Sequence, residues 1–334
     1  MKVLFIGGTG NISAACSRLA LETGIDLYHL NRRKAIHDFP GVTTLVADVN
    51  NRAALEKAVE GHTFDVVVNF IAFKPEEVQR DIEVFGGKTG QYIFISSASA
   101  YQKPGGHPVI TESTPLYNPY WDYSRDKIAC ENLLMDGFRE KNFPATIVRP
   151  SLTYETVIPV AIGSWTDFTI IERMRKGKQV VIHGDGTSLW TVTHSTDFAK
   201  GFNGLLGHQQ ALGHAFHITS DEILTWNQIY EAVAEAAGAE LNAVHMSSDC
   251  ICSIADTMEW EWMRGNLHGD KAPSMIFDNT KIKRFVPGFN ATIPFKKGIA
   301  DTVKWFDEHP EKIMIDEGNN NFLDALIERH NCIK

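Results

Sequence analysis

A tyrosine and a lysine stand four residues apart in "WDYSRDK", Trp121 to Lys127. On a helix that spacing puts both side chains on one face, a turn apart. A phenol has a pKa of ~10 and is a poor base at neutral pH. A neighbouring ammonium favours the phenolate, so such a pair is suited to proton transfer. Residue types and spacing alone do not decide the matter. With 8 tyrosines in 334 residues, chance supplies roughly one such pair in every two chains of this composition. The pair becomes chemistry only if the elements around it build a site.

Those elements are legible in the first 150 residues. "KVLFIG" (Lys2–Gly7), "DLYHL" (Asp26–Leu30), "TTLVA" (Thr43–Ala47), "DVVVNFIA" (Asp65–Ala72), "YIFIS" (Tyr92–Ser96) and "ATIVR" (Ala145–Arg149) are short and apolar on nearly every residue. That is the texture of parallel strands covered on both faces. Helix patterns fall between them at Ile12–Thr23, Asn51–Val59, Glu76–Phe85 and Asp122–Asn142. The alternation predicts an α/β doubly wound parallel sheet. After Pro150 the pattern becomes irregular. Helices are expected near Thr166–Lys176, Ser195–Gly207, Thr225–Gly238, Phe295–His309 and Asn320–Asn331. We expect a dinucleotide-binding Rossmann domain over 1–150. A smaller α/β substrate lobe should follow over 151–334, with some segments returning to the first domain.

"FIGGTGNIS" (Phe5–Ser13) follows the first strand and opens the first helix. Gly7 permits the tight turn. Gly8 and Gly10 let backbone amides approach a pyrophosphate at the helix N-terminus. Ser13 replaces the third glycine and is small enough for close helix–strand packing. The second strand ends in Asn31, Arg32 and Arg33, where an NAD site would carry an acidic residue. Guanidinium groups suit a 2′-phosphate, so NADP is favoured and NAD remains possible. Asp48, after the third strand, is either an acceptor for the adenine amino group or an ordinary turn aspartate.

These motifs, with "NFIA" (Asn69–Ala72), "ISSASAY" (Ile95–Tyr101), "YSRDK" (Tyr123–Lys127), "RPSLTY" (Arg149–Tyr154) and "GDGTSLWTVTHSTD" (Gly184–Asp197), occur in a telling order. The chain resembles the extended short-chain dehydrogenase/reductases, the NAD-dependent epimerase/dehydratase family. The resemblance implies that Tyr123 is the acid/base and that Lys127 lowers its pKa and holds the nicotinamide ribose. It implies that Ser97 orients the substrate oxygen. It further implies a dinucleotide lined by Gly7, Gly10, Asn11, Ile12, Asn31, Arg32, Asp48, Val49, Phe70, Ala72, Lys127 and Pro150. Hydride would pass between the nicotinamide and a secondary alcohol or ketone of a sugar-like small molecule. The alternatives are a sugar or nucleotide-sugar epimerase, and a non-catalytic nucleotide-sensing or RNA-associated relative. A homodimer through the helix containing Asp122–Asn142 is the family expectation.

Four positions, in three places, depart from the family. Ala98 and Ser99 stand where 4,6-dehydratases carry an Asp-Glu pair. Trp190 stands where the epimerases place a diphosphate-binding arginine; Arg173, Arg175 or Lys178 could compensate. Gln102 replaces the glycine after Tyr101. Tyr101, Trp121, Tyr154 and Trp190 are the substrate candidates, with Tyr117, Tyr120 and Trp165 as further aromatics for a cleft. His194 is read first as a structural hydrogen-bonding residue, and Asp197 as helping to start the helix after it.

Composition bounds the rest. A net charge of −9 argues against nucleic-acid binding. No apolar run reaches the ~18 residues of a membrane span, and glycines interrupt the apolar start that could pass for a signal peptide. We expect a cytoplasmic protein. Five scattered cysteines, Cys250 and Cys252 among them, suggest reduced thiols, and no metal site is expected.

Overall fold

The computed structural model describes residues 1–32, 39–163 and 165–333. In chain order the strands are β1 (Lys2–Ile6), β2 (Asp26–Asn31), β3 (Thr43–Val46), β4 (Phe64–Asn69), β5 (Thr89–Ile95), β6 (Val109–Ile110), β7 (Ala145–Pro150), β8 (Leu152–Tyr154), β9 (Val180–His183), β10 (Leu189–Trp190), β11 (Val192–His194), β12 (Ala215–Ile218), β13 (Leu224–Thr225), β14 (Ala243–Met246) and β15 (Ile276–Phe277). The helices are α1 (Asn11–Glu22), α2 (Arg52–Ala58), α3 (Pro75–Phe85), α4 (Asp122–Lys141), α5 (Thr169–Arg175), α6 (Ser195–Leu205), α7 (Trp226–Ala237), α8 (Ser248–Thr257), α9 (Trp262–Asn266), α10 (Thr280–Phe285), α11 (Phe295–Glu308) and α12 (Glu317–Ile333).

Seven strands form one parallel sheet in the order β12-β7-β5-β4-β1-β2-β3. The order reverses between β1 and β4, the switch point at which such sheets receive a ligand. Alternate residues of each strand serve opposite faces. Val3, Phe5, Val66, Val68, Ile93 and Ile95 pack against α1 and α6. Leu4, Ile6, Val67, Tyr92 and Phe94 pack against α2, α3 and α4. This two-sided burial, ~1.5–3 kcal/mol for each large apolar side chain, is why the strand sequences hardly alternate in polarity.

The seventh strand, β12, was not anticipated. Its four residues, "AFHI", carry a histidine and are too short for a periodic signal. It pairs with β7, while α6 packs on α1, so chain beyond residue 150 returns to the sheet. The second core joins β8, β9, α5, α7, α8, α11 and α12. Thr225 caps α7 by accepting the Gln228 amide, and Gly238 ends it at φ +72°. α5 starts at Thr169, three residues after its expected start, and α12 starts at Glu317. Neither α8, α9 nor the π-helical stretch Leu267–Lys271 was expected. Their mixed polarity in "SSDCICSIADTMEWEWMRGNLHGDK" hides the helical period. Cys250 and Cys252 lie on α8. All five cysteines are free thiols, and no metal-binding group is found among the described residues.

Candidate active site

The glycine turn links β1 to α1. Gly7 has φ +84°, and a Cβ there would come within 2.5 Å of Ile71. A Cβ on Gly8 would strike the His29 imidazole. At Gly10 it would meet only the Ser13 hydroxyl, at 3.4 Å, so that side of the turn is open. Ser13 does more than fit. Its Oγ accepts the Gly10 amide at 2.8 Å and donates to the Gly7 carbonyl at 2.7 Å, bracing the loop from inside. The Gly10 amide is therefore engaged, and the amides left for an anion belong to the first turn, at Asn11 and Ile12. No acidic side chain lies in that turn. Asn11 Nδ2 donates to the Thr153 carbonyl at 3.1 Å, and Arg18 pairs with Glu155. A cavity of about 390 Å³ opens here, lined by Gly10, Asn11, Arg18, Glu155, His194 and Trp305.

At the end of β2, Asn31 Nδ2 is buried without a partner, and Arg32 is exposed. Arg33 lies outside the described residues. Asp48 is exposed and accepts the Asn50 amide at 3.0 Å, the geometry of a turn aspartate, with its second oxygen still available. Val49 is buried with Leu30 and Leu55. The Phe70 ring packs edge-on against Phe5, and Pro150 is buried at the end of β7. An open glycine turn, a non-acidic helix start and an unpartnered amide at the end of β2 fit a dinucleotide.

Tyr123 and Lys127 lie on α4, as the spacing predicts. Lys127 is buried, with Nζ donating to the carbonyls of Ala72 (2.7 Å) and Ile95 (2.8 Å). Nζ also sits 5.8 Å from the Tyr123 ring centroid. Burial lowers its pKa to about 8, against the attraction of Cys130, Glu77 and Glu131. Tyr123 is half-buried. Burial pushes its phenol up to about 12; a hydrogen bond with Ser97 works against this, and the Asp270 charge adds to it. The sequence suggested a phenol drawn towards neutrality, yet this protein alone keeps it protonated. Two of the three Lys127 N–H groups are committed to carbonyls, so its charge is partly spent.

Ser97 lies two residues beyond β5 and belongs to a chain of hydroxyls that sequence reasoning missed. Ser124 Oγ donates to Ser99 Oγ at 2.7 Å. Ser99 Oγ lies 2.9 Å from Ser97 Oγ, and the Ser99 amide donates to Ser97 Oγ at 3.1 Å. Ser99 is buried, so its own O–H needs an acceptor, and Ser97 Oγ is in reach. Ser97 thus accepts twice, and its proton is left for Tyr123 or a ligand. Asn118 Nδ2 holds the Ser99 carbonyl at 2.8 Å. The signal was faint: serines two and 27 residues from Ser97, meeting only after folding.

Of the four substrate candidates, Trp121 alone faces a cleft. Its ring lies 4.9 Å from that of Tyr123. The two line a cavity of about 570 Å³ with Tyr120, Glu261, Trp262 and Arg264, the last three unforeseen. Tyr101 is fully buried: its hydroxyl meets His217 Nδ1 at 2.9 Å, and Arg149 covers its ring. Tyr154 is fully buried between His194 and Phe295. Trp190 is 1% exposed and packs on Trp226. These three are interior side chains, which corrects their reading as cleft residues. Tyr117 and Tyr120 are exposed. His194 Nδ1 accepts the Thr196 amide and caps α6, and Asp197 accepts the amides of Thr292 and Ile293.

Comparison with known proteins identifies the family and the fold. Residues 3–219 match the NAD dependent epimerase/dehydratase family. The chain belongs to that family. It is 24% identical over 251 residues to a chloroplast stem-loop binding protein of 41 kDa from Arabidopsis thaliana, covering 71% of this chain and 63% of that protein. The chain spans a little under two thirds of the length of the first curated relatives it matches. Among solved structures, an epimerase of Methanothermobacter thermautotrophicus superposes with a TM-score of 0.74 at 15% identity, covering 93% of each chain. UDP-glucose 4-epimerase from Bifidobacterium longum, in complex with NAD+ and UDP, gives 0.72 at 18%, covering 94% of this chain and all of that one.

Within the family the charge at Trp190 is not made good by the expected arginines. Arg173 is buried and bonded to Gln179, Asn320 and Asp324. Arg175 is bidentate to Asp307. Lys178 is exposed.

Proposed function

We propose that this chain is an NAD(P)-dependent oxidoreductase acting at a secondary alcohol or ketone of a sugar-like substrate. The observation that supports it most is that Ser97 hydrogen-bonds Tyr123 and the Lys127 ammonium lies 5.8 Å from its ring centroid, while Tyr123 itself lines a 570 Å³ cleft. A nicotinamide bound along the glycine turn would supply or accept the hydride. Ser97 donates a hydrogen bond to the substrate oxygen and orients it. Tyr123, protonated through neutral pH, gives its proton to that oxygen as negative charge develops there. Lys127 keeps a positive charge beside the phenolate that results. The protonated phenol favours the reducing direction.

The first turn of α1 would take the pyrophosphate. Arg32 and the Asn31 amide suit a 2′-phosphate, so NADP is our choice of cofactor. The competing reading is an epimerase that keeps one dinucleotide through each cycle, as the NAD+-bound epimerase of the same fold suggests. The stem-loop relative raises RNA binding. The net charge of −9 and the retained Ser97, Tyr123 and Lys127 speak against it.

The test is to identify the nucleotide that co-purifies and to measure its exchange with NADPH and NADH. We expect ready exchange with a preference for NADPH. Tightly held, non-exchanging NAD would replace this reading with the epimerase one. Binding of neither would remove the oxidoreductase reading altogether.

A further inference from the structure

The cleft that Tyr123 lines also carries three aromatic side chains with no part in the chemistry above: Tyr120, Trp121 and Trp262. Tyr120 is 43% exposed and Trp262 46%, so both leave ring surface open to a ligand. Trp121 is half-buried and firmly seated. Its ring lies 4.9 Å from that of Tyr123. Gly265, in the same lining, lets the α9 backbone lie against the indole, since a Cβ there would come within 2.3 Å of its Cδ1. Trp262 has a different support. Its ring centroid is 6.0 Å from that of Trp260, which packs in turn on Phe322 at 4.9 Å. The two indoles therefore reach one cleft from separate segments, each held by its own packing.

The charges of the lining have one dominant sign. Asp122, Asp256 and Glu261 are acidic, and Arg264 alone is basic. Arg264 is taken by Asp256, at 2.8 Å. Arg125, outside the lining, pairs with Asp122 and donates to the Pro119 carbonyl at 3.0 Å. Lys127 is buried and bonded to two carbonyls. Trp190, where the family places a cation, is buried and uncharged. Glu261 begins α9, but its side chain does not cap the helix, and it has no ion-pair partner among the described residues. A free carboxylate repels a second anion and is a strong acceptor for a hydroxyl proton. A sugar ring matches both features. The polarised C–H groups of its faces suit the negative faces of aromatic rings, and the hydroxyls of its rim suit a carboxylate.

We propose that the substrate is an uncharged sugar or sugar-like polyol, stacked on Trp121 and Trp262 with a hydroxyl on Glu261, and that the cleft disfavours phosphorylated, nucleotide-linked and carboxylated sugars. This rests on the reading of that cleft as the active site. It makes Trp262 and Glu261 specificity-determining residues: the first holds the ring, and the second sets the charge that the ring can carry.

Binding is measured by saturation-transfer NMR on dinucleotide-saturated protein. The uncharged probes are methyl β-D-glucopyranoside and methyl β-D-galactopyranoside; the anionic ones are glucuronate, glucose 1-phosphate and UDP. We expect the glycosides to bind and the anions to bind roughly tenfold or more weakly. Trp262→Ala changes an exposed side chain and should keep the parent's circular dichroism while weakening the glycosides roughly three- to tenfold. Glu261→Gln keeps a hydroxyl partner without the charge, and should narrow the difference between glucoside and glucuronate. Tighter binding of any anion than of the glycosides overturns the proposal. So does glycoside binding that Trp262→Ala leaves unchanged, or a parent that binds neither glycoside. Failure to bind dinucleotide counts against the oxidoreductase reading instead, and the same titrations on the free protein then read the aromatic cleft by itself.

Discussion

The side chains that would do the chemistry are few, and each has a distinct task. Tyr123→Phe removes the transferable proton and leaves the ring packing against Trp121. We expect turnover to fall by ~10²–10⁴-fold with dinucleotide affinity unchanged in a fluorescence titration. Ser99→Ala removes the hydroxyl that fixes the Ser97 proton. Its expected cost is on the order of fivefold in kcat with KM unmoved, and Ser99→Thr should restore it. Lys127 sets an alkaline limit. With its pKa at about 8, the ammonium is charged below that value and neutral above it. A pH–rate profile in the reducing direction should therefore hold below pH 8 and fall above it. Tyr123, Lys127 and Ser97 were legible because they sit in local motifs. Ser124 was not, since its partner Ser99 lies 25 residues away in the chain. The burial of Tyr101, Tyr154 and Trp190 was also illegible, because an aromatic residue reads alike in a cleft and in a core.

Secondary-structure elements carry a second set of constraints. The β1–α1 turn was readable down to single glycines, since φ at Gly7 and the approach to Ile71 admit no side chain. Gly7→Ala should cost ~1–2 kcal/mol from the left-handed backbone alone, and more from the contact, as measured by chemical denaturation. The bracing role of Ser13 could not be read. A serine in place of glycine suggests only that the packing is close, whereas its two hydrogen bonds to the loop are a product of the fold. The parallel strands were legible for a physical reason: burial on both faces removes polar alternation. β12 and the α8–α9 region were not, because short or mixed-polarity segments take their conformation from what they pack against.

Across the whole molecule, chain beyond residue 150 returns to the central sheet. Beneath that sheet a buried pair links α4 to β7: Arg149 is bidentate to Glu131, and Glu131 also accepts Ser96 Oγ at 2.5 Å. Glu131→Gln would leave a guanidinium buried without its counter-charge. The expected loss is ~3–5 kcal/mol, seen as a lower melting temperature, whereas a paired replacement of both residues by apolar ones should recover much of it. No motif announced this pair as structural, although "RPSLTY" and the long helix each hold one member. A change of texture near residue 150 was visible in the sequence. The return of α6 and β12 to the sheet depends on contacts that sequence order conceals.

The hydroxyl chain Ser124–Ser99–Ser97 has one more consequence. With both lone pairs of Ser97 engaged by Ser99, that hydroxyl has only its proton to offer. Beside it stands a protonated phenol, with an ammonium 5.8 Å from the ring centroid. Such donors suit a carbonyl, an alkoxide or a hydroxyl lone pair better than a protonated amine. A ketone and the ammonium compound that replaces its oxygen with nitrogen should therefore part company here, the first held and turned over, the second left without the acceptor it needs.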